Sequence, residues 1–259
     1  MPRAFTRAVS PRLAQCQLTH LQRVPIDAAK AALQHAAYEQ ALAGAGFEIL
    51  RLPELADDPD AVFVEDTALL LDGHAVITRP GAASRAGETR STAEGLSGHF
   101  DVHGIERGHV DGGDVLCIGR TLYVGLSSRT NAEGIAALAD IVQPLGFDVV
   151  EAELCDCLHL KTGATFAGAD ASGTPVLLYH ERSVDAGQFA GVEAVPVDPH
   201  EAAAANCVRA GDHLILPAGN PRTAERLRSR GFDVVEIDVS ELQKAESGVT
   251  CMSLIDERP

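Results

Sequence analysis

The chain has 259 residues, of which 37 are acidic and 21 basic, so its formal net charge is −16. The hydrophobic fraction of 46% can fill a substantial core, and the charged fraction of 22% is too low for a disordered protein. Because phosphate backbones and anionic lipids would repel so acidic a chain, we expect neither nucleic acid nor a membrane surface as its partner.

Nothing in the sequence indicates export or a membrane span. No run approaches the roughly 20 apolar residues that cross a bilayer, and residues 1–7 lack the apolar stretch of a signal peptide. The six cysteines are scattered along the chain, which is not typical of a disulfide framework. We therefore expect a cytoplasmic protein with reduced cysteines.

One short strand pattern recurs along the chain. Glycine, phenylalanine and an acidic residue precede a short apolar run at residues 46–50, 146–150 and 231–235. Weaker copies at 99–102 and 191–195 bring the intervals between copies to 53, 47, 45 and 40 residues. Such spacing is typical of repeat architectures.

Helices are predicted ahead of these strands. The apolar spacing predicts the longest over residues 26–43 and others over 130–144 and 221–230, the last with Pro221 in its first turn. Less regular patterns indicate helices near 88–98 and 184–190.

Two more strand series complete each repeat. The later series lies at residues 75–78, 122–125, 176–179 and 214–217, and the earlier one at 63–71, 115–118, 160–167 and 206–210. Each unit therefore consists of a strand, a turn, a strand, a helix and a strand, and four units fit inside the chain.

The two ends of the chain supply a fifth unit. Residues 249–254 provide its first strand, while residues 4–9, the long helix and residues 47–52 provide the rest. Sharing a unit between the termini closes a ring and leaves no open sheet edge. We predict a single α/β domain over residues 1–259. The alternative is an ordinary α/β domain in which the repeated strands are similar by chance.

Candidate reactive residues recur with the same period. Glu65 with Asp66, then Asp111, His159, Asn206 and Cys251, are separated by 46, 48, 47 and 45 residues. Since equivalent positions in a ring of units point toward one axis, these side chains are expected to converge on one pocket.

A cysteine, a histidine and carboxylates in one pocket indicate nucleophilic catalysis. Cys251 would attack an electrophilic carbon, and His159 would move protons to the leaving group and from water. Asp111, in a tight turn with two glycines, is the natural group to orient the imidazole. The number of carboxylates favours a small cationic substrate, because without one they would raise each other's pKa values.

Seven segments resemble the dimethylarginine dimethylaminohydrolase family and keep its motif order from about residue 9 to residue 254. They are residues 59–66, 77–81 with Arg85, 111–116, 128–131, 158–162, 204–207 and 250–254. The resemblance implies the pentein fold, a five-bladed pseudo-symmetric α/β propeller closed by pairing of the N- and C-terminal segments. It also implies hydrolysis of Nω-methylated L-arginine to L-citrulline and dimethylamine or methylamine, through a covalent S-alkylthiouronium on cysteine.

By motif position, the resemblance implies that Cys251 is the nucleophile, His159 the general acid/base and Asp111 the orienting group, a position where some members carry Glu. The substrate-binding residues that it implies are Leu18, Asp60, Glu65, Asp66, Arg85, Arg129 and Ala245. Arg85 and Arg129 would bind the substrate carboxylate under a mobile lid, residues 12–19. No metal or organic cofactor is implied. Residues 245–248 depart from an Asp-Gly pattern expected before the nucleophile.

Several alternatives stay open. Cys155, Cys157 and His159 alternate on one strand face, as three zinc ligands could, but no fourth ligand stands nearby at a standard spacing. Whether zinc binds Cys251 and His159 and inhibits the protein is a separate question. Another guanidino enzyme, such as an arginine deiminase, and a non-catalytic propeller are the rival functions. Substrate preference is undecided, as is the choice between monomer and homodimer.

Overall fold

Fifteen strands form five three-stranded sheets in the computed structural model, which describes residues 1–258. The strands are β1 (Arg3–Thr6), β2 (Glu48–Arg51), β3 (Ala68–Leu71), β4 (His74–Ile77), β5 (Asp101–Gly104), β6 (Val115–Ile118), β7 (Thr121–Gly125), β8 (Asp148–Ala152), β9 (Ala164–Ala169), β10 (Pro175–Tyr179), β11 (Glu193–Pro196), β12 (Val208–Ala210), β13 (His213–Pro217), β14 (Asp233–Ile237) and β15 (Leu254–Asp256).

The same pairing pattern recurs in every sheet. The first strand is antiparallel to the second, and the second is parallel to the third, in the orders β3-β4-β5, β6-β7-β8, β9-β10-β11, β12-β13-β14 and β15-β1-β2. In the last sheet, Phe5 of β1 lies opposite Leu254 of β15, so the two termini share one sheet. The predicted five-unit ring, closed by its terminal segments, is confirmed.

Four helices connect the second strand of a sheet to its third strand, and two short ones precede or follow a sheet. They are α1 (Ala28–Gly44), α2 (Glu88–Leu96), α3 (Ala132–Val142), α4 (Leu160–Gly163), α5 (Pro221–Ser229) and α6 (Ser240–Gln243). Asp27 caps α1 by accepting hydrogen bonds from the amides of Ala29 and Lys30, and Asn131 caps α3 by accepting one from Gly134. The helix predicted near 184–190 is wrong, because only a 3₁₀ turn, Ala186–Gln188, forms there.

The repeated glycine marks the same junction in three units. Gly46, Gly146 and Gly231 have φ values of +91°, +84° and +88°, a left-handed conformation that glycine adopts without a steric penalty. Each glycine reverses the chain after a helix and leads into a third strand. This conformational requirement is the physical reason for the repeated glycine.

Buried side chains fill the spaces between neighbouring sheets. One cluster joins β3–β5 to β6–β8, and it includes Val76 and Leu122. Others join the second sheet to the third, the third to the fourth, the fourth to the terminal sheet, and the terminal sheet to the first. The core is therefore distributed around the ring, and each sheet is stabilised by both neighbours.

The first strand of each sheet lies next to the axis of the ring. Together these strands, β3, β6, β9, β12 and β15, line a cavity of about 330 Å³, the axial cavity. Three of the strands predicted at these places begin too early, because a helical turn precedes the strand. These turns are Val64–Thr67, Leu160–Gly163 and Thr250–Met252. Among the helices of residues 1–258, none has the length and apolar character needed to cross a lipid bilayer.

Candidate active site

The turns that precede the first strands hold the candidate reactive residues. Asp66 and Cys251 lie within such turns, Asp111 and His159 lie directly before them, and Asn206 follows one directly. Because all five turns occupy the same place in their units, these residues meet at one end of the ring axis.

A small cavity of about 20 Å³ lies where they meet, and Cys251, His159 and Asp66 all line it. This space is the candidate reaction cavity. The other lining residues are Gln17, Asp60, Phe63, Arg85, Arg129, Leu158, Ala245 and Glu246. A thiol, an imidazole and a carboxylate therefore share one small cavity.

His159 is buried between two carboxylates. Its Nε2 lies 3.0 Å from Oδ2 of Asp111, and its Nδ1 lies 3.9 Å from Oδ1 of Asp66. Burial alone would lower the pKa of His159, but Asp66, Asp111 and Asp114 outweigh it and raise the pKa to about 9. The imidazole is therefore protonated at neutral pH, with an N–H on each ring nitrogen.

Gly113 makes room for this arrangement. A Cβ atom at position 113 would lie 2.7 Å from Nδ1 of His159 and 2.8 Å from Oδ1 of Asp66, so a larger residue would displace both. The Gly113 amide also donates a hydrogen bond of 3.0 Å to Asp66. The turn of two glycines thus holds the imidazole and this carboxylate in place.

Asp111 is fully buried and fixed from several sides. Its Oδ1 accepts a hydrogen bond of 2.8 Å from the Gly81 amide, and Arg129 Nη1 lies 3.6 Å from its Oδ2. Its own amide donates to Thr130 Oγ1 at 3.1 Å. These contacts make Asp111 a rigid partner for His159.

Asp66 is one of three carboxylates that line the cavity. Arg85 donates to its Oδ2 and also binds Glu88 and the carbonyl oxygen of Phe63. Burial would raise the pKa of Asp66, but the charges of His159 and Arg85 hold it below its usual value. Asp66 is therefore an ionised group in the lining of the cavity.

Cys251 is a protonated thiol in the free protein. Its Sγ accepts a hydrogen bond of 3.4 Å from the Gly248 amide. Burial, followed by the negative charges of Glu65 and Asp66, raises the pKa of Cys251 to about 12. A nearby positive charge would be needed to form the thiolate at neutral pH.

Asn206 joins the segments that carry His159 and Cys251. Its Nδ2 donates to the Lys161 carbonyl and to Thr250 Oγ1, each at 2.9 Å, and its Oδ1 accepts from the Thr250 amide at 3.0 Å. The sequence singled out Asn206 by its period but gave it no role. Its contacts join the segment that precedes Cys251 to the segment that follows His159.

Two of the predicted substrate-binding residues lie away from the cavity lining. Glu65 lines the axial cavity instead, where its carboxylate lies 2.7 Å from Lys161 Nζ and accepts a 2.7 Å hydrogen bond from Thr250. Leu18 packs against the core cluster, and its neighbour Gln17 lines the reaction cavity. Asp60, Arg85, Arg129 and Ala245, four more of the predicted substrate-binding residues, line the reaction cavity.

The predicted lid contacts two of these residues. The Gln17 amide donates to both carboxylate oxygens of Asp60, at 3.2 and 3.1 Å, and Arg129 Nη2 donates to Thr19 Oγ1 at 3.0 Å. The segment thus lies against the cavity, with Gln17 in its lining. Glu246, which also lines the cavity, was not singled out as a site residue by the sequence.

One group of side chains could hold a metal ion. Ligand atoms of Asp66, Asp111 and His159 all lie within 4.8 Å of one another. Within residues 1–258 this is the one cluster that brings three potential metal ligands together. The alternating cysteines do not join it. Cys155 is exposed, and the Cys157 thiol donates to the His159 carbonyl at 3.4 Å.

Comparison with known proteins places these residues in a family context. A family described as arginine deiminase matches residues 94–171. Over 254 residues the chain is 39% identical to an N(G),N(G)-dimethylarginine dimethylaminohydrolase of Streptomyces coelicolor, covering 97% of this chain and 96% of the relative.

Two solved structures have the same fold. A mutant dimethylarginine dimethylaminohydrolase from Pseudomonas aeruginosa, with serine in place of a cysteine and complexed with citrulline, aligns with a TM-score of 0.90 at 35% identity, over 98% of this chain and 99% of that one. A dimethylarginine dimethylaminohydrolase with glycine in place of a histidine, an adduct with S-methyl-L-thiocitrulline, aligns with a TM-score of 0.90 at 36% identity, over 98% and 100%.

Proposed function

The chain belongs to the dimethylarginine dimethylaminohydrolase family of amidine hydrolases, and we propose that it hydrolyses Nω-methylated L-arginine to L-citrulline and dimethylamine or methylamine. The observation that carries the proposal is the shared cavity of Cys251, His159 and Asp66. It combines a nucleophile, an acid and an anionic group that suits a guanidinium. The related structures with citrulline and with a thiocitrulline adduct support the same reaction class.

Substrate binding would supply the positive charge that the thiol needs. The planar guanidinium would donate hydrogen bonds to the ionised carboxylate of Asp66, which lines the cavity together with Cys251. A cation beside the sulfur lowers the pKa of the thiol, so the thiolate forms and its proton passes to solvent when the substrate is in place. Asp111 acts through His159, and Glu65 supports the nucleophile segment through Thr250.

The first half of the reaction forms a covalent intermediate. The Cys251 thiolate attacks the guanidinium carbon and forms a carbon–sulfur bond. The imidazolium of His159 transfers its proton to the departing nitrogen, the carbon–nitrogen bond breaks, and dimethylamine or methylamine leaves. An S-alkylthiouronium remains on the enzyme. His159 suits this step because its pKa of about 9 keeps it protonated at neutral pH.

The second half reverses the role of the imidazole. Neutral His159 accepts a proton from water, and the hydroxide adds to the thiouronium carbon. The carbon–sulfur bond then breaks, and the departing thiolate takes up the proton of the added hydroxyl group, which gives citrulline and restores the Cys251 thiol. Asp111 stabilises the imidazolium that forms again. Water is the only co-reactant, and the proton that the thiol released to solvent is balanced by protonation of the amine product.

The remaining cavity residues suit the amino acid end of the substrate. We propose that Asp60 binds the α-ammonium group, with the Leu18 and Ala245 backbone nearby, and that Arg129 binds the carboxylate. Arg85 lines the cavity, but its N–H groups are directed at Asp66, Glu88 and backbone carbonyls. Its chief effect would therefore be to position Asp66.

Replacing Arg129 by alanine is expected to raise the KM for dimethylarginine about 30-fold with a smaller change in kcat, because a charged hydrogen bond to the substrate carboxylate is lost. Steady-state citrulline formation measures both constants. Arg79→Ala is a suitable control, since Arg79 is exposed and donates to the Glu106 carbonyl outside the cavity. An unchanged KM in Arg129→Ala would rule out the assigned role.

The two raised pKa values predict distinct pH profiles. Because His159 loses its proton above about pH 9, kcat/KM should decline there. Because the Cys251 thiol has a pKa of about 12, its alkylation by neutral iodoacetamide should be slow at pH 7 and rise about tenfold per pH unit up to pH 10. The cation chloroacetamidine should react faster at pH 7. Peptide mass spectrometry resolves Cys251 from exposed Cys155, and alkylation at pH 7 as fast as that of Cys155 would contradict this account.

Hydrolysis of unmethylated arginine is the second candidate function, because the matching family over residues 94–171 is described as arginine deiminase. Purified protein should be incubated separately with dimethylarginine, monomethylarginine and arginine, and citrulline, amines and ammonia should be quantified. Equal amounts of citrulline and dimethylamine are expected from dimethylarginine. A higher kcat/KM for arginine, with ammonia as product, would favour the second candidate.

A further inference from the structure

The carboxylate of Glu246 binds three consecutive backbone amides, those of Thr19 in the predicted lid and of His20 and Leu21, which extend the lid to residues 12–21. Its Oε2 accepts a hydrogen bond of 2.8 Å from the Thr19 amide, and its Oε1 accepts hydrogen bonds of 2.5 Å from His20 and from Leu21. These three lid residues lie outside the helices and strands, so no regular secondary structure provides partners for their amides. Hydrogen bonds to an ionised acceptor are stronger than those between neutral groups.

The backbone at Glu246 is in an unusual conformation for its residue type. Its φ is +58°, in the left-handed region that residues with a side chain seldom adopt. The turn after α6 imposes this conformation, since the Ala245 amide donates to Leu242 and the Glu246 amide to Gln243. It directs the carboxylate away from the turn and toward the lid.

Glu246 also separates two cavities. On one side it lines the reaction cavity together with Cys251. On the other side it lines a larger cavity of about 530 Å³ together with His20 and Leu21, the lid residues that it binds. If this contact opened, the reaction cavity would gain access to the larger space.

Three side chains that line the reaction cavity bind the lid, and Glu246 differs from the other two. Asp60 binds the Gln17 amide and Arg129 binds the Thr19 hydroxyl, but both are proposed to bind the substrate itself. A bound substrate would compete with the lid for these two groups. Glu246 faces no such competition, so it can hold the lid while substrate is present.

We propose that Glu246 is a positioning residue that latches residues 19–21 over the reaction cavity, and that its release lets substrate enter and products leave. The latch itself follows from the contacts of Glu246. Its link to turnover rests on the proposed function, because that function assigns Asp60 and Arg129 to the substrate.

Glu246→Gly removes the carboxylate and suits the left-handed backbone, so the variant should fold. Loss of three charge-assisted hydrogen bonds should increase the open population of the lid about tenfold. Trypsin cleavage after Arg12 or Arg23 and iodoacetamide alkylation of Cys251 should both accelerate by about that factor. The KM for dimethylarginine should rise about tenfold with kcat within about threefold. Glu246→Gln, which keeps one acceptor oxygen, should give intermediate values.

Asp72→Gly is the matched control. Asp72 is also an acidic residue with a positive φ, +45°, but its exposed side chain pairs with Arg120 far from the lid in the sequence. It should leave proteolysis, alkylation and KM unchanged. Wild-type rates of lid cleavage and Cys251 alkylation in Glu246→Gly would overturn the latch. These two rates require no turnover, so they test the latch even if the protein hydrolyses no methylated arginine.

Discussion

Serine in place of Cys251 is expected to lower kcat for dimethylarginine by at least about 10⁴-fold, because a neutral hydroxyl is a far weaker nucleophile than a thiolate. The thermal unfolding midpoint should stay within about 3 °C of the wild type, since only one sulfur becomes oxygen. Citrulline formation measures the first effect, and circular dichroism during heating measures the second. Together they separate a chemical role from a structural one.

Cys207→Ser provides the matched control for this experiment. Cys207 is also buried, and burial raises its pKa to about 12, yet it lies in a core cluster and its Sγ is 3.0 Å from Thr165 Oγ1. Its replacement should reduce stability and preserve turnover per folded molecule. Substantial activity in Cys251→Ser would show that Cys251 is not the nucleophile. Equal inactivity in folded Cys207→Ser would show that the loss of activity does not distinguish Cys251 from another buried thiol.

The ring could be predicted from the sequence because each unit repeats the same local requirements. Gly46, Gly146 and Gly231 recur where a helix must reverse into a strand, and that conformation is one that glycine adopts most readily. The phenylalanine after each glycine fills the space beside the new strand. Local signals of this kind do not depend on distant parts of the chain, so the spacing of the units can be predicted from the sequence.

The boundaries of the first strands could not be predicted in the same way. The apolar run from residue 63 reads as a continuous strand, but Val64–Thr67 forms a helical turn before β3 begins at Ala68. The turn is maintained by tertiary contacts, such as the hydrogen bond from Thr78 Oγ1 to the Asp66 carbonyl. A single segment carries no information about those distant partners.

The candidate site, like the fold, could be predicted only in part from the sequence. The common period of Asp66, Asp111, His159 and Cys251 predicted that they would meet, and the structure places their turns at one end of the axis. The period cannot specify the direction of a side chain. Glu65, next to Asp66, therefore points to Lys161 in the axial cavity, because successive residues of a turn face different sides.

Glycine in place of His159 is expected to lower turnover of dimethylarginine by about 10³-fold or more, because neither the departing amine nor the attacking water exchanges a proton with the protein. S-methyl-L-thiocitrulline should behave differently, since its methanethiolate leaves without an acid. Attack by Cys251 would then form the thiouronium, and its hydrolysis would stall. Intact-protein mass spectrometry should show the mass of the substrate minus methanethiol added to the variant.

His180→Gly distinguishes this effect from general damage to the histidine-bearing loops. His180 is half-buried and its Nδ1 lies 2.9 Å from Ser183 Oγ, but it lines the 530 Å³ cavity and not the reaction cavity. This variant should turn over both substrates and carry no adduct. Cys251→Ser combined with His159→Gly should also carry none, because the attacking sulfur is gone. Rapid hydrolysis by His159→Gly would remove the imidazole from the mechanism, since only the loss of its proton transfer explains a stalled thiouronium. An adduct on any other cysteine would instead show that Cys251 is not the nucleophile.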